Sequence, residues 1–205
     1  LMAEHRLAIL ITASIIIALV FAAVGLTLYN TSGTAQLDLS RPGFEADRFA
    51  IMAMNLATGK PREIAPNWDR SAGSMKLSLD GKTLYTASDD VGQHPLFAID
   101  IASGAVKQIA GNGTVGEFDL ANDTLAITRD TLSSPAQLFV MDVHGGAERQ
   151  ITVNNTELLA KIAIGESEQF NFTGAKGEKV HGFVVKPANF QEGKKYPVAF
   201  LIHGG

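Results

Sequence analysis

The chain has 205 residues, of which 46% are hydrophobic and 19% charged, a balance that provides for a folded core and argues against disorder. Its net charge of −4 and the lack of a long basic run argue against nucleic acid as a partner, because phosphate binding needs clustered Lys and Arg. The absence of cysteine excludes disulfide scaffolds, thiolate zinc sites and cysteine nucleophiles.

The amino-terminal stretch from Leu7 to Leu28 reads LAILITASIIIALVFAAVGLTL and carries no charge. At about 1.5 Å per helical residue it is long enough to cross a hydrocarbon core of about 30 Å. Arg6 precedes the stretch and the next basic residue is Arg41, so the positive-inside rule places the amino terminus in the cytoplasm. We predict that residues 1–30 form a membrane anchor or, alternatively, a signal peptide, and that the folded part is membrane-anchored or secreted, outside the cytoplasm.

Between about residue 40 and residue 165 the chain repeats itself. Three stretches of eleven residues align without gaps: NLATGKPREIA from Asn55, DIASGAVKQIA from Asp100 and DVHGGAERQIT from Asp142. Each follows a strand-like run and has a glycine in its turn: Gly59, Gly104 and Gly146. The pattern predicts three β-hairpins, in which the aspartates act as turn formers.

A second element recurs out of phase with the hairpins. DGKTLYTASDD from Asp80 and NDTLAITRD from Asn122 each give a polar turn followed by Thr-Leu and a strand. A period of about 40 to 45 residues, made of short strands and glycine turns, is typical of β-propeller blades, each of which is a four-stranded sheet. We therefore predict a mainly β fold with a partial β-propeller of about three blades over residues 40–165. An irregular meander with chance similarity is the alternative.

Past the repeats the pattern changes. The stretch FNFTGAKGEKVHGFVVKP from Phe170 alternates around a Gly-Ala-Lys-Gly turn, and the apolar run from Val198 to Ile202 precedes His203, Gly204 and Gly205. Alternation followed by a buried strand is typical of the antiparallel start of an α/β sheet. In hydrolases with that architecture an HGG-type loop helps to form the oxyanion hole. We predict that residues 166–205 begin an α/β-hydrolase domain and that His203, Gly204 and Gly205 form its oxyanion loop. The alternative for His203 is a structural loop residue.

Six motifs follow one another in the chain: RPGFEADRF, WDRS, DGKTLYTASDDVGQHPLFAID, TRDTLSSPAQLF, ELLA and KKYPVAFLIHGG. In this order they resemble the prolyl oligopeptidase family of serine peptidases, and more closely its dipeptidyl aminopeptidase and acylaminoacyl peptidase branch. The resemblance covers residues from about 40 to 205. It implies a propeller that caps an α/β-hydrolase domain, peptide substrates, and hydrolysis of peptide bonds in short peptides through an acyl-enzyme. Leu77 departs from the pattern, since such blades often carry an aromatic residue there.

The catalytic residues of such an enzyme are not found in this chain. No G-x-S-x-G occurs in the sequence, so the Ser, Asp and His are expected beyond residue 205 and the chain alone is predicted to be inactive. The remaining histidines fall in no metal-ligand spacing, so we predict no metal and no cofactor: His5, His94, His144 and His181. The alternative function is that of a membrane-tethered β-propeller that binds a partner without catalysis. The sequence does not indicate an oligomeric state.

Overall fold

The computed structural model describes residues 26–30, 48–55 and 58–202. For residues 26–30 it describes the backbone only. Within these ranges the fold is mainly β, with one short helix, α1 (Thr156–Leu159), and one 3₁₀ turn (Ala175–Gly177). The strands are β1 (Leu26–Asn30), β2 (Ile51–Asn55), β3 (Lys60–Ile64), β4 (Met75–Leu77), β5 (Thr83–Ala87), β6 (Leu96–Asp100), β7 (Val106–Ala110), β8 (Thr114–Ala121), β9 (Thr124–Thr131), β10 (Ser134–Asp142), β11 (Arg149–Gln150), β12 (Ser167–Thr173) and β13 (Lys179–Val185).

The strands form four sheets, and in each sheet the strands lie side by side in the order of the chain. The first sheet contains β1 to β3, the second β4 to β7, the third β8 to β11, and the hairpin β12–β13 stands as a two-stranded sheet. The described residues divide into two compact units. One contains the chain up to Thr86 together with Ala98–Lys107, and the other contains Ala87–Phe97 together with the chain from Gln108 onward.

The core of the first unit is formed by small and branched apolar side chains. They are buried in one cluster: Ile51, Ala53, Ile64, Ala65, Ala72, Leu84, Ile99 and Ile101. Ile51 and Ala53 alternate with half-buried Met52 and Met54, as expected for a strand that buries one face. Burial of each larger side chain contributes about 1.5 to 3 kcal/mol. Leu77 packs against this cluster, so the departure noted at this position affects packing.

The three predicted hairpins are present. The first joins β2 to β3 with Ile51 opposite Ile64, the second joins β6 to β7, and the third joins β10 to β11. Gly59 and Gly104 have φ values of 65° and 72° and donate their N–H groups to the carbonyl oxygens four residues earlier, both at 2.8 Å. Glycine is suited to this left-handed conformation because it has no Cβ.

The third hairpin corrects one prediction. We expected Gly146 in the turn, but the residue with positive φ is Gly145, at 78°. Its N–H donates to the carbonyl oxygen of Asp142 at 3.0 Å, three residues earlier, whereas the first two turns close over four. The turn therefore closes one residue sooner than a gapless alignment implies.

Two polar clusters fasten the third sheet. The Arg129 guanidinium pairs with both carboxylate oxygens of Glu148, at 2.6 and 2.7 Å, and lies 4.3 Å from the centre of the Phe139 ring. The buried side chain of Gln137 accepts hydrogen bonds from the Thr152 hydroxyl at 2.8 Å and the Asn154 N–H at 3.1 Å. It also donates to the Asn154 carbonyl at 2.9 Å. The segment that leaves β11 is thus held against β10.

The predicted amino-terminal helix lies mostly outside the described residues. Its last three positions, Leu26 to Leu28, are extended and belong to β1, where they pair with Ala53, Met54 and Asn55 of β2. The predicted end at Leu28 is therefore wrong, because these backbone groups bond to a neighbouring strand. Among the residues that the structure describes, no helix has the length and hydrophobicity needed to cross a membrane.

Candidate functional site

The hairpin β12–β13 begins the segment in which the sequence places its candidate site. It pairs antiparallel over its full length, from Ser167 opposite Val185 to Thr173 opposite Lys179. The two strands predicted on either side of the Gly-Ala-Lys-Gly turn are confirmed, but burial does not alternate along them, since nearly every residue of both strands is exposed. One face carries Phe170 and Phe172, whose ring centroids are 6.3 Å apart, and both side chains are exposed.

The chain leaves the hairpin through a tight contact with the residues that precede it. The Lys186 N–H donates to the Glu166 carbonyl at 2.9 Å. A Cβ on Gly165 would lie 1.7 Å from the Lys186 carbonyl oxygen, so only glycine permits this approach of the two backbones. The two ends of the hairpin are therefore fixed to each other.

Lys186 forms an electrostatic cluster at this point. A hydrogen bond to Glu168 raises the pKa of the Lys186 ammonium, and the nearby charges of Glu166 and Glu192 act in the same direction. The ammonium also lies 5.2 Å from the centre of the Phe190 ring. This lysine therefore remains protonated and serves to hold the connecting loop.

The loop that follows is closed by Tyr196. Its hydroxyl accepts a hydrogen bond from the Gln191 N–H at 2.9 Å and donates to the Asn189 carbonyl at 3.3 Å. Its ring lies 5.5 Å from that of Phe190. Residues 188–195 thus form a loop, closed by these hydrogen bonds, that leads the chain to residue 198.

The predicted strand over residues 198–202 is wrong for the described structure. No strand is formed there, because no described strand lies alongside to exchange backbone hydrogen bonds. The large side chains are exposed: Val198, Phe200, Leu201 and Ile202. His203, Gly204 and Gly205, the predicted oxyanion loop, lie outside the described residues.

The other histidines in the described part have structural surroundings. His94 follows the turn after β5, and its Nδ1 lies 2.7 Å from Oδ1 of Asp89. Its backbone bonds to Gly113 and Val115, so its surroundings are those of a structural residue beside the turn. The His144 N–H donates to Oδ1 of Asp142 in the third hairpin turn. Over residues 48–55 and 58–202, no group of three or more histidines and acidic residues is placed to hold a metal ion.

One contact was not predicted from the sequence. Gln169 of β12 donates from Nε2 to the carbonyl oxygen of Val91 at 2.6 Å, across 78 residues of chain. Phe183, opposite Gln169 in the hairpin, lies against Gly92. Neither periodicity nor spacing relates positions so far apart. The only local signal is the glycine after Val91, which indicates a turn.

Comparison with known proteins relates the chain to peptidases. No protein-family model matches it. The dipeptidyl-peptidase 5 of Arthroderma otae is 33% identical over 182 residues, which cover 83% of this chain and 24% of that protein. The chain thus spans about a quarter of the length of this curated relative.

Two solved structures share its fold. The acylaminoacyl peptidase of Pyrococcus horikoshii matches with a TM-score of 0.58 and 25% identity, over 71% of this chain and 22% of that one. The β-propeller domain of the Trilobed protease from Pyrococcus furiosus matches with a TM-score of 0.50 and 22% identity, over 67% of this chain and 38% of that one. A relative aligned over most of the sequence, together with the strand arrangement of a known peptidase, accounts for the ordered motifs, and the chain belongs to the prolyl oligopeptidase family.

Proposed function

We propose that this chain is part of a serine peptidase of the prolyl oligopeptidase type, which hydrolyses peptide bonds in short peptides through an acyl-enzyme. The observation that carries the proposal is the alignment with a dipeptidyl-peptidase 5 over 83% of the chain. The membership of the family and the order of the six sequence motifs support it. Short peptides are accordingly the partners that we propose for the whole enzyme.

We propose that the first three sheets are successive blades of a propeller, in residues 40–165, with β1 of the first sheet lying before this range. Three features support this arrangement. The second and third sheets each contain four strands in chain order, the hairpins recur at the blade period, and the fold matches a known propeller domain.

Residues 166–205 would then begin the peptidase domain. The β12–β13 hairpin favours this reading over a binding propeller without catalysis, because a propeller alone has no need for an additional sheet after its blades. His203, Gly204 and Gly205 would supply the oxyanion loop. There, N–H donors face the negative charge that develops on the substrate carbonyl, and glycine allows the backbone to come close.

The nucleophile has to come from elsewhere in the whole protein. A serine activated in this fold sits in a G-x-S-x-G turn between a strand and a helix, and the 205 residues contain no such motif. An oxyanion hole without a nucleophile stabilises a charge that never forms. We therefore propose that the chain by itself does not hydrolyse peptides.

A fluorophosphonate probe tests both parts of the proposal, since it labels only activated serines. We expect no labelling of the 205-residue chain and stoichiometric labelling of the protein encoded by the whole gene, together with turnover of dipeptidyl or acylaminoacyl amides. The whole-gene protein with its G-x-S-x-G serine changed to alanine is the control. Labelling of the 205-residue chain, or a whole gene without a G-x-S-x-G, would contradict the proposal.

We also propose that the folded part lies outside the cytoplasm, either tethered through the apolar amino-terminal stretch or secreted. The support is the sequence itself. The stretch from Leu7 to Gly25 has 19 residues without a charge, which remains within the range of about 17 to 25 residues needed to span a bilayer.

A further inference from the structure

The turn between β5 and β6 has a backbone conformation that its sequence does not favour. Val91 and Gly92 have φ values of 50° and 76°. Asp90 and Gln93 close the turn with backbone hydrogen bonds of 3.0 Å in both directions. Two successive positive φ values are typical of a type I′ turn. Glycine adopts such values freely, but a β-branched residue such as valine is strained by them.

The hairpin β12–β13 contacts this turn. The Gln169 side-chain amide donates to the Val91 carbonyl at 2.6 Å. This hydrogen bond fixes the orientation of the peptide unit between Val91 and Gly92. The Phe183 ring covers Gly92 so closely that a Cβ there would lie 2.6 Å from a ring carbon. Gly92 is therefore required for its backbone conformation and also for the space that the ring needs.

The start of β8 and the residue before it also hold this turn. The Gln93 side chain accepts a hydrogen bond from the Gly113 N–H at 2.7 Å. The His94 N–H donates to the Gly113 carbonyl at 3.0 Å, and the His94 carbonyl accepts from the Val115 N–H at 2.9 Å. All of these residues belong to one compact unit, so the turn joins the hairpin to the third sheet.

We propose that the turn Asp90–Gln93 is a strained latch that docks the β12–β13 hairpin, with Gln169 and Phe183 as its positioning residues. A strained turn persists only while its surroundings hold it, and here the amide and the ring provide that hold. The latch therefore has a docked state and a released state. The strain on Val91 brings the two states closer in free energy than an unstrained turn would.

The latch has a consequence for the candidate site, and this part rests on the proposed function. The hairpin leads through the loop closed by Tyr196 to residues 198–202 and then to His203. The docked latch fixes the position from which that segment departs. Release of the latch frees the same segment to move.

Hydrogen exchange on the 205-residue chain tests the latch. In Gly92→Ala, we expect the amides of residues 167–185 to exchange about 10-fold faster or more, because the new methyl group displaces Phe183. Gly59→Ala is the matched control. Gly59 has a similar φ of 65°, but its Cβ would meet nothing within 4 Å, so the hairpin amides should change by less than about 2-fold. The amides of β8 to β10 should be unaffected in both variants.

Two further variants separate a strained latch from ordinary packing. Val91→Gly keeps the carbonyl that Gln169 binds and removes the strain, so hairpin exchange should become about 5- to 30-fold slower. In a Phe183→Leu background, Gly92→Ala should accelerate amide exchange in the hairpin no more than Gly59→Ala does, because the ring that the new methyl group would displace is absent.

Three outcomes would overturn the latch. The first is equal hairpin exchange in Gly92→Ala and Gly59→Ala. The second is an acceleration in Gly92→Ala that is as large for the amides of β8 to β10 as for those of the hairpin. The third is unchanged or faster hairpin exchange in Val91→Gly. The readout does not depend on peptide hydrolysis. Failure of the peptidase proposal would therefore leave the docking contact intact, and failure of the latch would leave the peptidase proposal untouched.

Discussion

Gln137 shows how one polar side chain can fix the course of a whole segment. It is buried, and its amide group uses two acceptor positions and one donor, all on Thr152 and Asn154. Among the described residues, every buried side-chain nitrogen and oxygen atom has a hydrogen-bond partner. Loss of the amide would leave several of these groups unsatisfied, and each costs about 1 to 3 kcal/mol when it stays buried.

Gln137→Leu should therefore lower the free energy of unfolding by about 2 to 3 kcal/mol. Urea unfolding followed by circular dichroism measures the change. Gln150→Leu is the matched control, since Gln150 also donates to Thr152 but is exposed, and we expect a change within about 0.5 kcal/mol. Equal effects of the two substitutions would show that the buried network does not hold the segment.

Asp100 makes stability depend on pH. Hydrogen bonds from the Ser103 hydroxyl and then from the Ser103 N–H hold the pKa of the Asp100 carboxyl below its ordinary value of 3.8. Because the pKa of Asp100 is lower in the folded than in the unfolded state, its ionised form stabilises the fold above pH values near 3.8. This stabilisation is lost as the pH falls through the lowered pKa of the folded state. From about pH 5 downward, the free energy of unfolding should fall less steeply in Asp100→Asn than in the unaltered chain.

Urea midpoints measured at several pH values check this expectation. Asp123→Asn, an exposed change of the same charge, controls for the lost charge itself. If Asp100→Asn shows the same slope as the unaltered chain, the Ser103 hydrogen bonds contribute nothing to the pH dependence.

For single residues, the sequence predicts hydrogen bonds to neighbours in the chain but not those to residues far away in the chain. Asp100 and Asp142 were expected to bond to nearby groups in turns, and their carboxylates do so three and two residues away. The two partners of Gln137 lie 15 and 17 residues away, and that of Gln169 lies 78 residues away. Such pairs depend on how the sheets fold back, which no local pattern records.

The hairpin is the recurring element of the fold, and its turns differ in the space around their glycines. At Gly104 a Cβ would lie 3.1 Å from the backbone nitrogen of Ala65, whereas at Gly59 it would meet nothing within 4 Å. Both residues have positive φ. The two glycines are thus needed for different reasons, conformation alone at Gly59 and conformation with close packing at Gly104.

Gly104→Ala should consequently destabilise the chain more than Gly59→Ala. The left-handed conformation costs alanine about 1 to 2 kcal/mol at either site, and the contact with Ala65 adds about 1 kcal/mol or more at Gly104. Thermal or urea unfolding of the two variants gives the comparison. A smaller loss at Gly104 would mean that the second hairpin can shift away from Ala65 without cost.

The existence of the hairpins was predictable, but their details were not. Repetition at a blade period identified all three, and alternation identified β12–β13. The turn at Gly145 differs because adjacent glycines, Gly145 and Gly146, offer two positions for one left-handed residue. The strand expected at residues 198–202 was inferred from apolar composition, but a strand also requires a partner to pair with.

In the molecule as a whole, the strands pair in the order of the chain, and the predicted oxyanion loop follows the last strand in the sequence. The family and the mainly β fold could be predicted because they depend on motifs and periodicity. His203, Gly204 and Gly205 lie outside the described ranges, so their role as an oxyanion loop stays a prediction. Leu26 to Leu28 belong to β1, so a membrane segment in this chain has to end by Gly25.

The proposed location predicts that a tag at the carboxyl end is open to protease added to intact cells. A cytoplasmic marker protein should stay protected in the same sample, which controls for lysis. Protection of the tag would contradict the proposed location. Recovery of chain that lacks about its first 30 residues would identify a signal peptide in place of an anchor.

The order of the strands also bears on how the chain folds during synthesis. In every sheet, each strand bonds to a strand that comes immediately before or after it in the sequence. Contacts between close neighbours in sequence close short loops, and proteins rich in such contacts fold quickly. The second and third sheets can therefore form in turn as each emerges from the ribosome. The latch between Val91 and Gln169 joins only after both have formed, which makes the seating of the β12–β13 hairpin a late step in folding.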